Sequence, residues 1–216
     1  MELEYRWMGE VDYQTGLAHQ EAVRERVLSG APGSLLLLTH PHTITVGRNG
    51  KESNILAPDE LREQGCSVYR VKRGGDVTYH GPGQLVGYPV LPLTRIRVGV
   101  SDYMRRLGTI LEDCVAAWGV RAHWDDARPG LWVGDDKLAA FGVHVHRGVT
   151  THGFALNVCP DLRYYQRIVP CGLSGRGVTS LERLIPGRVP ELWEIRAKVR
   201  TCFAANFGVD WISGRP

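Results

Sequence analysis

Leu138-Ala139-Ala140-Phe141-Gly142-Val143-His144-Val145-His146, then Arg147-Gly148, then Thr151-His152-Gly153-Phe154-Ala155-Leu156-Asn157-Val158 fix the fold class. Two β-like runs flank a short Arg-Gly break, the signature of a hairpin. Upstream, Gly134-Asp135-Asp136 joins Leu131–Val133 to Leu138, and Val120–Trp124 precedes them, so residues 120–158 predict a run of antiparallel strands. Further out, Leu3–Met8, Leu35–Leu38, Thr43–Val46, Ser67–Lys72 and Leu85–Leu91 are strand-like, with His40-Pro41-His42 as a corner. Asp12 is placed to cap a helix running to about Leu28, with Leu17, Val23 and Val27 inward and Gly30 as its stop. A short helix is predicted over Pro58–Gln64. The clearest helix starts at Ser101 or Asp102 and carries Met104, Leu107, Leu111, Cys114 and Trp118 on one face up to Gly119. A last helix over Glu191–Phe207 presents Leu192, Ile195, Val199 and Phe203 and ends at Gly208, so Cys114 and Cys202 read as packing. Strands mixed with helices, then clustered as hairpins, predict an α+β (mixed α/β) fold: a largely antiparallel central sheet flanked by helices.

The chain has 216 residues with no internal repeat and no Pro/Ser-rich linker, so a single domain over residues 1–216 is expected. Hydrophobic residues are 43% and charged residues 23%, values of a globular chain and not of a disordered one. The longest aliphatic run, Leu35–Leu38, is far short of the roughly 18 residues a membrane span needs, and the start of the chain lacks a basic signal region. A soluble, cytoplasmic protein without membrane association is expected. The net charge of +3 comes from arginines scattered along the chain, which argues against nucleic acid as a partner. Five cysteines, at 66, 114, 159, 171 and 202, form no CxxC pair, disulfide framework or zinc ribbon.

Chemistry concentrates in three places. Arg73-Gly74-Gly75-Asp76-Val77-Thr78-Tyr79-His80-Gly81-Pro82-Gly83-Gln84 has four glycines and a proline in twelve residues, an irregular segment that lets backbone N–H groups approach a ligand. A wide surface turn is the alternative, and the order of a phosphate loop is absent. Cys171 stands between Pro170 and Gly172, off any regular helix, in a setting for a nucleophile or for a buried inert thiol. Lys137 is one of only four lysines against 22 arginines. Lysine can give up its proton where arginine cannot, and the small or apolar residues after it would desolvate an amine; a solvated hairpin lysine beside Asp135 and Asp136 is the other reading. His40/His42 and His144/His146 are spaced for shared strand faces, but no HExxH or Cys/His set completes a metal site, so no metal is expected. His152 is expected beside the cleft bordered by Ala140 and Gly142.

Together the blocks Arg73–Gln84, Lys137-Leu138-Ala139-Ala140-Phe141-Gly142-Val143, His152-Gly153-Phe154-Ala155-Leu156-Asn157 and Pro170-Cys171-Gly172 with Thr179-Ser180 closely resemble the octanoyltransferases of lipoate biosynthesis, in order and spacing. Tyr164-Tyr165-Gln166 stands where the family has a Phe-His pair. The resemblance implies the fold of the lipoate and biotin ligase catalytic domains and, without a cofactor, transfer of an octanoyl group from octanoyl-acyl carrier protein to a lysine of lipoyl domains. The acceptors implied are the lipoyl domains of 2-oxoacid dehydrogenase complexes and the glycine cleavage H protein. Cys171 would hold the acyl group as a thioester, with Lys137 as acid/base. Arg73, Gly74, Gly75, Asp76, Val77, Thr78, Tyr79, His80, Ala140, Phe141, Gly142, His152, Gly153, Phe154 and Ala155 would bind it. Three rivals remain at this point: an ATP-dependent lipoate or biotin ligase on the same scaffold, a cysteine hydrolase, and a non-catalytic carrier-binding module.

Overall fold

The computed structural model describes residues 1–169 and 176–212. Strand β1 (Glu2–Glu10) leads into helix α1 (Tyr13–Leu28). Asp12 caps α1 by accepting the Thr15 backbone N–H at 2.9 Å, which satisfies a donor that has no partner within the helix. The helix buries Tyr13, Gly16, Gln20, Val23 and Val27, whereas Leu17 is only half-buried. There follow β2 (Gly33–Thr39), β3 (Thr43–Val46), α2 (Pro58–Glu63), β4 (Ser67–Arg70), β5 (Val77–His80) and β6 (Gln84–Val90). After α3 (Leu93–Ile96) and α4 (Val100–Ala116) come β7 (His123–Trp124), β8 (Gly130–Val133), β9 (Asp136–His146) and β10 (Val149–Asn157). A 3-10 helix (Leu162–Arg167), α5 (Leu181–Leu184), α6 (Leu192–Phe207) and β11 (Asp210–Ile212) complete the described chain.

Among the described residues eight strands form one sheet in the order β11-β1-β2-β6-β10-β9-β8-β7, antiparallel from β2 to β7 and parallel across β11, β1 and β2. A smaller sheet has the order β4-β3-β5. The expected α+β class and helix-flanked sheet hold, with corrections in detail. Residues 73–84 are not irregular throughout: Val77–His80 is strand β5, paired antiparallel with β3. Its glycines lie outside it, at 74, 75, 81 and 83, and leave a β-branched and aromatic tetrapeptide that suits a strand. The strand expected over Val120–Trp124 shrinks to its last two residues, and α4 begins at Val100 after Gly99.

The period of two in each strand divides the large sheet into two apolar faces. Leu35, Leu37, Leu85, Phe154 and Leu156 pack with Leu107, Ile110, Leu111, Val199 and Phe203 of α4 and α6. Leu36, Leu38, Val86, Tyr88 and Ala155 pack with Val23 and Val27 of α1. Cys114 and Cys202 are buried in the first of these cores, as expected. Among the described residues no helix is long and apolar enough to cross a membrane.

One buried carboxylate ties the parallel edge of the sheet to α1. Glu4 accepts from Arg26 at 2.6 Å and from the Ser34 hydroxyl at 3.2 Å, with Arg6 also in reach. Burial pushes its pKa up, but the bonds from Arg26 and Ser34 and the charges of both arginines outweigh that and leave it lowered. A lowered folded pKa gives stability that is present above the unfolded value and lost as pH falls through the folded one. We therefore expect Glu4→Gln to lower unfolding free energy at pH 7 by about 1–3 kcal/mol, with the gap to wild type closing below about pH 4, measured by urea unfolding across pH.

Candidate active site

A cavity runs between α1, the small sheet and strands β9 and β10, and its floor comes from small residues paired across the two strands. Ala140 faces Ala155 and Gly142 faces Gly153, and all four line the cavity. At Gly142 a Cβ would stand 2.8 Å from Arg73 Cδ and 3.0 Å from the Gly74 carbonyl, so glycine is what lets the 73–75 loop approach the strand. Gly74 donates to the Val143 carbonyl at 2.9 Å and fixes that loop on β9. The buried Arg73 guanidinium bonds the Thr45 carbonyl at 2.7 Å and its hydroxyl at 2.8 Å.

Lys137 reaches the cavity because β9 contains a bulge. The register pairs Trp132 with Lys137 but Leu131 with Ala139, leaving Leu138 without an opposite residue. Leu138 and Ala139 both face the α4/α6 core, while Lys137 and Ala140 both line the cavity. An unbroken strand would put Lys137 on the face of Ala139, away from Ala140 and Gly142. Its ammonium lies 4.8 Å from the centroid of the buried Trp132 ring, and the guanidinium carbons of Arg128 and Arg176 lie 5.5 Å from it. Such contacts are worth about 0.5–2 kcal/mol each, depending on desolvation. The Lys137 N–H donates to Gly177 O and its carbonyl accepts from Thr179 N–H, each at 3.0 Å, so the chain after residue 175 runs along this strand. On the other side, Val169 N–H donates to Asn54 O at 2.8 Å. Cys171 lies outside the described residues.

Exposure separates the cavity's two ends. Pro129, Arg176 and Gly177 form a partly exposed, cationic mouth beside Lys137. At the other end Tyr13, His80, Tyr88 and His152 are buried. His40, behind them, bonds the Val11 carbonyl through Nδ1 at 2.6 Å, so Nδ1 carries the proton and Nε2 accepts from the Tyr88 hydroxyl at 2.7 Å. His80 Nδ1 likewise donates to Gln84 Oε1 at 2.9 Å. Burial lowers the pKa of His40 to about 4 and of His152 to about 3, and takes that of His80 well below its ordinary value with His40 adding to the effect. These imidazoles are neutral near pH 7 and act as hydrogen-bonding groups.

Of the residues expected at the site, Arg73, Gly75, Val77, Thr78, His80, Lys137, Ala140, Phe141, Gly142, His152, Gly153, Phe154 and Ala155 line the cavity. Gly74, Asp76 and Tyr79 stand beside it: Asp76 bonds Asn54 at 2.8 Å, and Tyr79 turns into the small-sheet core. Sequence reasoning missed Tyr13, Tyr88, Asn157, Tyr165 and Arg176, which also line it. Tyr165, from the Tyr-Tyr-Gln segment, accepts from Gln84 Nε2 at 3.0 Å. Asn157 belongs to the His152–Asn157 motif and Tyr165 to the Tyr-Tyr-Gln segment; Tyr13 and Tyr88 carry no motif, since burial of a hydroxyl beside a cavity is decided by packing. His40 and His42 serve different neighbours, because the Pro41 corner sends His42 to the Tyr79 hydroxyl at 2.8 Å.

His152 carries two local costs. Its φ of +57° is left-handed, within a strand and at a non-glycine residue, which costs on the order of 1–3 kcal/mol. Its buried Nδ1 has no hydrogen-bond partner among the described residues, which costs about another 1–3 kcal/mol.

Comparison with known proteins fits this geometry. Residues 12–204 match the lipoyl protein ligase A/B catalytic domain family. The chain is 45% identical to an octanoyltransferase of Solibacter usitatus, covering 97% of this chain and 94% of that protein. It is 38% identical to a mitochondrial octanoyltransferase of Arabidopsis thaliana, covering 96% and 90%. Among solved structures, a putative lipoate protein ligase of Thermoplasma acidophilum with bound lipoic acid superposes with a TM-score of 0.80 at 17% identity, covering 99% of this chain and 89% of that one. The biotin protein ligase of Aquifex aeolicus gives 0.55 at 14%, covering 96% and 70%. At those identities the ligases share the fold, while the curated relatives carry the activity: this chain belongs to the octanoyltransferase family, acyltransferases built on the lipoyl protein ligase A/B catalytic domain.

Proposed function

We propose that the chain, acting as one catalytic domain in the cytoplasm, moves an octanoyl group from octanoyl-acyl carrier protein to a specific lysine of lipoyl domains, through a thioester on Cys171 with Lys137 as acid/base. The acceptors are the lipoyl domains of 2-oxoacid dehydrogenase complexes and the glycine cleavage H protein. The observation that carries the reading is the bulge that turns Lys137 onto the same face as the small-residue floor, at the cationic mouth of a buried slot. A second support is that the chain on both sides of residues 170–175 is anchored, on Asn54 and on Lys137 itself.

In the first step the Cys171 thiolate attacks the donor's thioester carbonyl. The bond from that carbon to the carrier's sulfur breaks, and the departing thiolate takes a proton from the Lys137 ammonium. In the second, the amine of the acceptor lysine attacks the acyl-Cys171 carbon, the Cys171 C–S bond breaks, and neutral Lys137 takes the amine's proton. A thioester and an amine become an amide and a thiol, so no nucleotide is consumed. Arg73, the 74–80 loop and strand, Ala140–Gly142 and His152–Ala155 hold the chain, each buried methylene contributing about 0.8 kcal/mol.

Intact-mass measurement after mixing with octanoyl carrier protein should show one octanoyl increment, absent in Cys171→Ser and discharged by a lipoyl domain. A ligase mechanism would show no increment and would require ATP. Lys137→Arg keeps the charge without a transferable proton and is expected to lower kcat by about 100-fold or more, with the acylation of Cys171 and its discharge timed separately. Trp132→Leu removes the ring beneath the ammonium and should lower kcat/KM by about tenfold, with Trp132→Tyr losing less.

A further inference from the structure

By strand alternation His152 belongs on the face of Phe154 and Leu156, which pack against α4 and α6. Its positive φ puts it on the other face. There its N–H donates to Gln20 Oε1 of α1 at 2.6 Å, and its ring meets Tyr88 edge-on with centroids 6.2 Å apart. The left-handed backbone is therefore what brings the imidazole to the cavity, and in return Nδ1 finds no partner among the described residues. A strained residue whose polar atom is buried and unpaired gains nothing for the fold from that atom.

The placement along the slot is informative. From Lys137 inward the floor passes the Ala140–Ala155 pair, then the Gly142–Gly153 pair, and reaches His152 opposite Val143. Up to that point the floor offers only small apolar groups. At His152, Tyr13 and Tyr88 it becomes polar and closed.

We propose that His152 is a specificity-determining residue, a polar stop that limits the length of straight-chain acyl groups accepted by the slot. The proposal rests on the acyl-transfer reading above, which sets the carbonyl at the Lys137 end. A chain that ends before His152 leaves the cavity-lining edge of the imidazole to hydrogen-bond whatever polar species shares the closed end. A chain two carbons longer presses methylenes, which cannot hydrogen-bond, against that polar ring edge and loses the benefit of burying them. The ring is neutral near pH 7, so the stop is dipolar and not a charge.

The test compares wild type with His152→Gly and His152→Asn, both of which tolerate a positive φ. Octanoyl, decanoyl and dodecanoyl carrier proteins serve as donors to a lipoyl domain, and binding of free octanoate and decanoate is measured by calorimetry. His152→Gly should raise the decanoyl-to-octanoyl ratio of kcat/KM, and of binding constants, by about 15-fold, the value of burying two further methylenes. His152→Asn, smaller but polar, should keep the wild-type ratio. A glycine variant with the wild-type length profile would overturn the proposal, as would an asparagine variant that shifts as far as glycine, since size alone would then set the limit. If wild type transfers no octanoyl group while its fatty-acid binding still obeys these ratios, the transfer reading fails and the stop stands.

Discussion

The structure around the cavity depends on one extra residue in β9. With Leu138 left without an opposite residue, Leu138 and Ala139 both enter the α4/α6 core, and the strand on either side of them presents Lys137 and Ala140 to the cavity. A bulge commonly re-aims a side chain in this way, at the cost of local ladder bonds. Here its consequences extend outward: the indole of Trp132 meets the ammonium, and the strand's opened edge accepts residues 177–179 as a short parallel partner. The segment that carries Thr179 and Ser180 is held where it is by Lys137's own backbone.

A second constraint is steric. Ala140–Ala155 and Gly142–Gly153 are cross-strand pairs with almost no side-chain volume, so the ridge that normally fills the space above a sheet is missing and a slot takes its place. Arg73 and the Gly74 backbone roof it through contacts that a side chain at 142 would obstruct. Around its closed end, desolvation keeps three imidazoles neutral, and His40 and His80 spend their polar atoms on fixed partners. His152 differs from them in having a buried nitrogen with no partner among the described residues.

The shared fold with lipoate and biotin ligases shows how little architecture dictates reaction class. A sheet and helices that superpose at a TM-score of 0.80 on a putative lipoate ligase belong here to an octanoyltransferase. The difference resides in side chains placed on that scaffold.

Sequence periodicity alone determined the hairpin of β9 and β10, α4 and α6 with their buried stripes, and the Asp12 and Gly208 caps, because each depends on neighbours only a few residues away. The ordered motif blocks determined the family and gathered most of the cavity's lining. Tertiary structure decided the rest. The bulge is invisible in Lys137-Leu138-Ala139-Ala140, since its cause is the packing of two adjacent residues into a distant helical core. Tyr13 joins the site only through the docking of α1 on the sheet, and Tyr88 through the pairing of β6 between β2 and β10. The reversed His152 hydrogen-bonds through its backbone N–H to Gln20, 132 positions away. Local sequence encodes period and turn, whereas which face a side chain finally takes is settled by contacts between segments far apart in the chain.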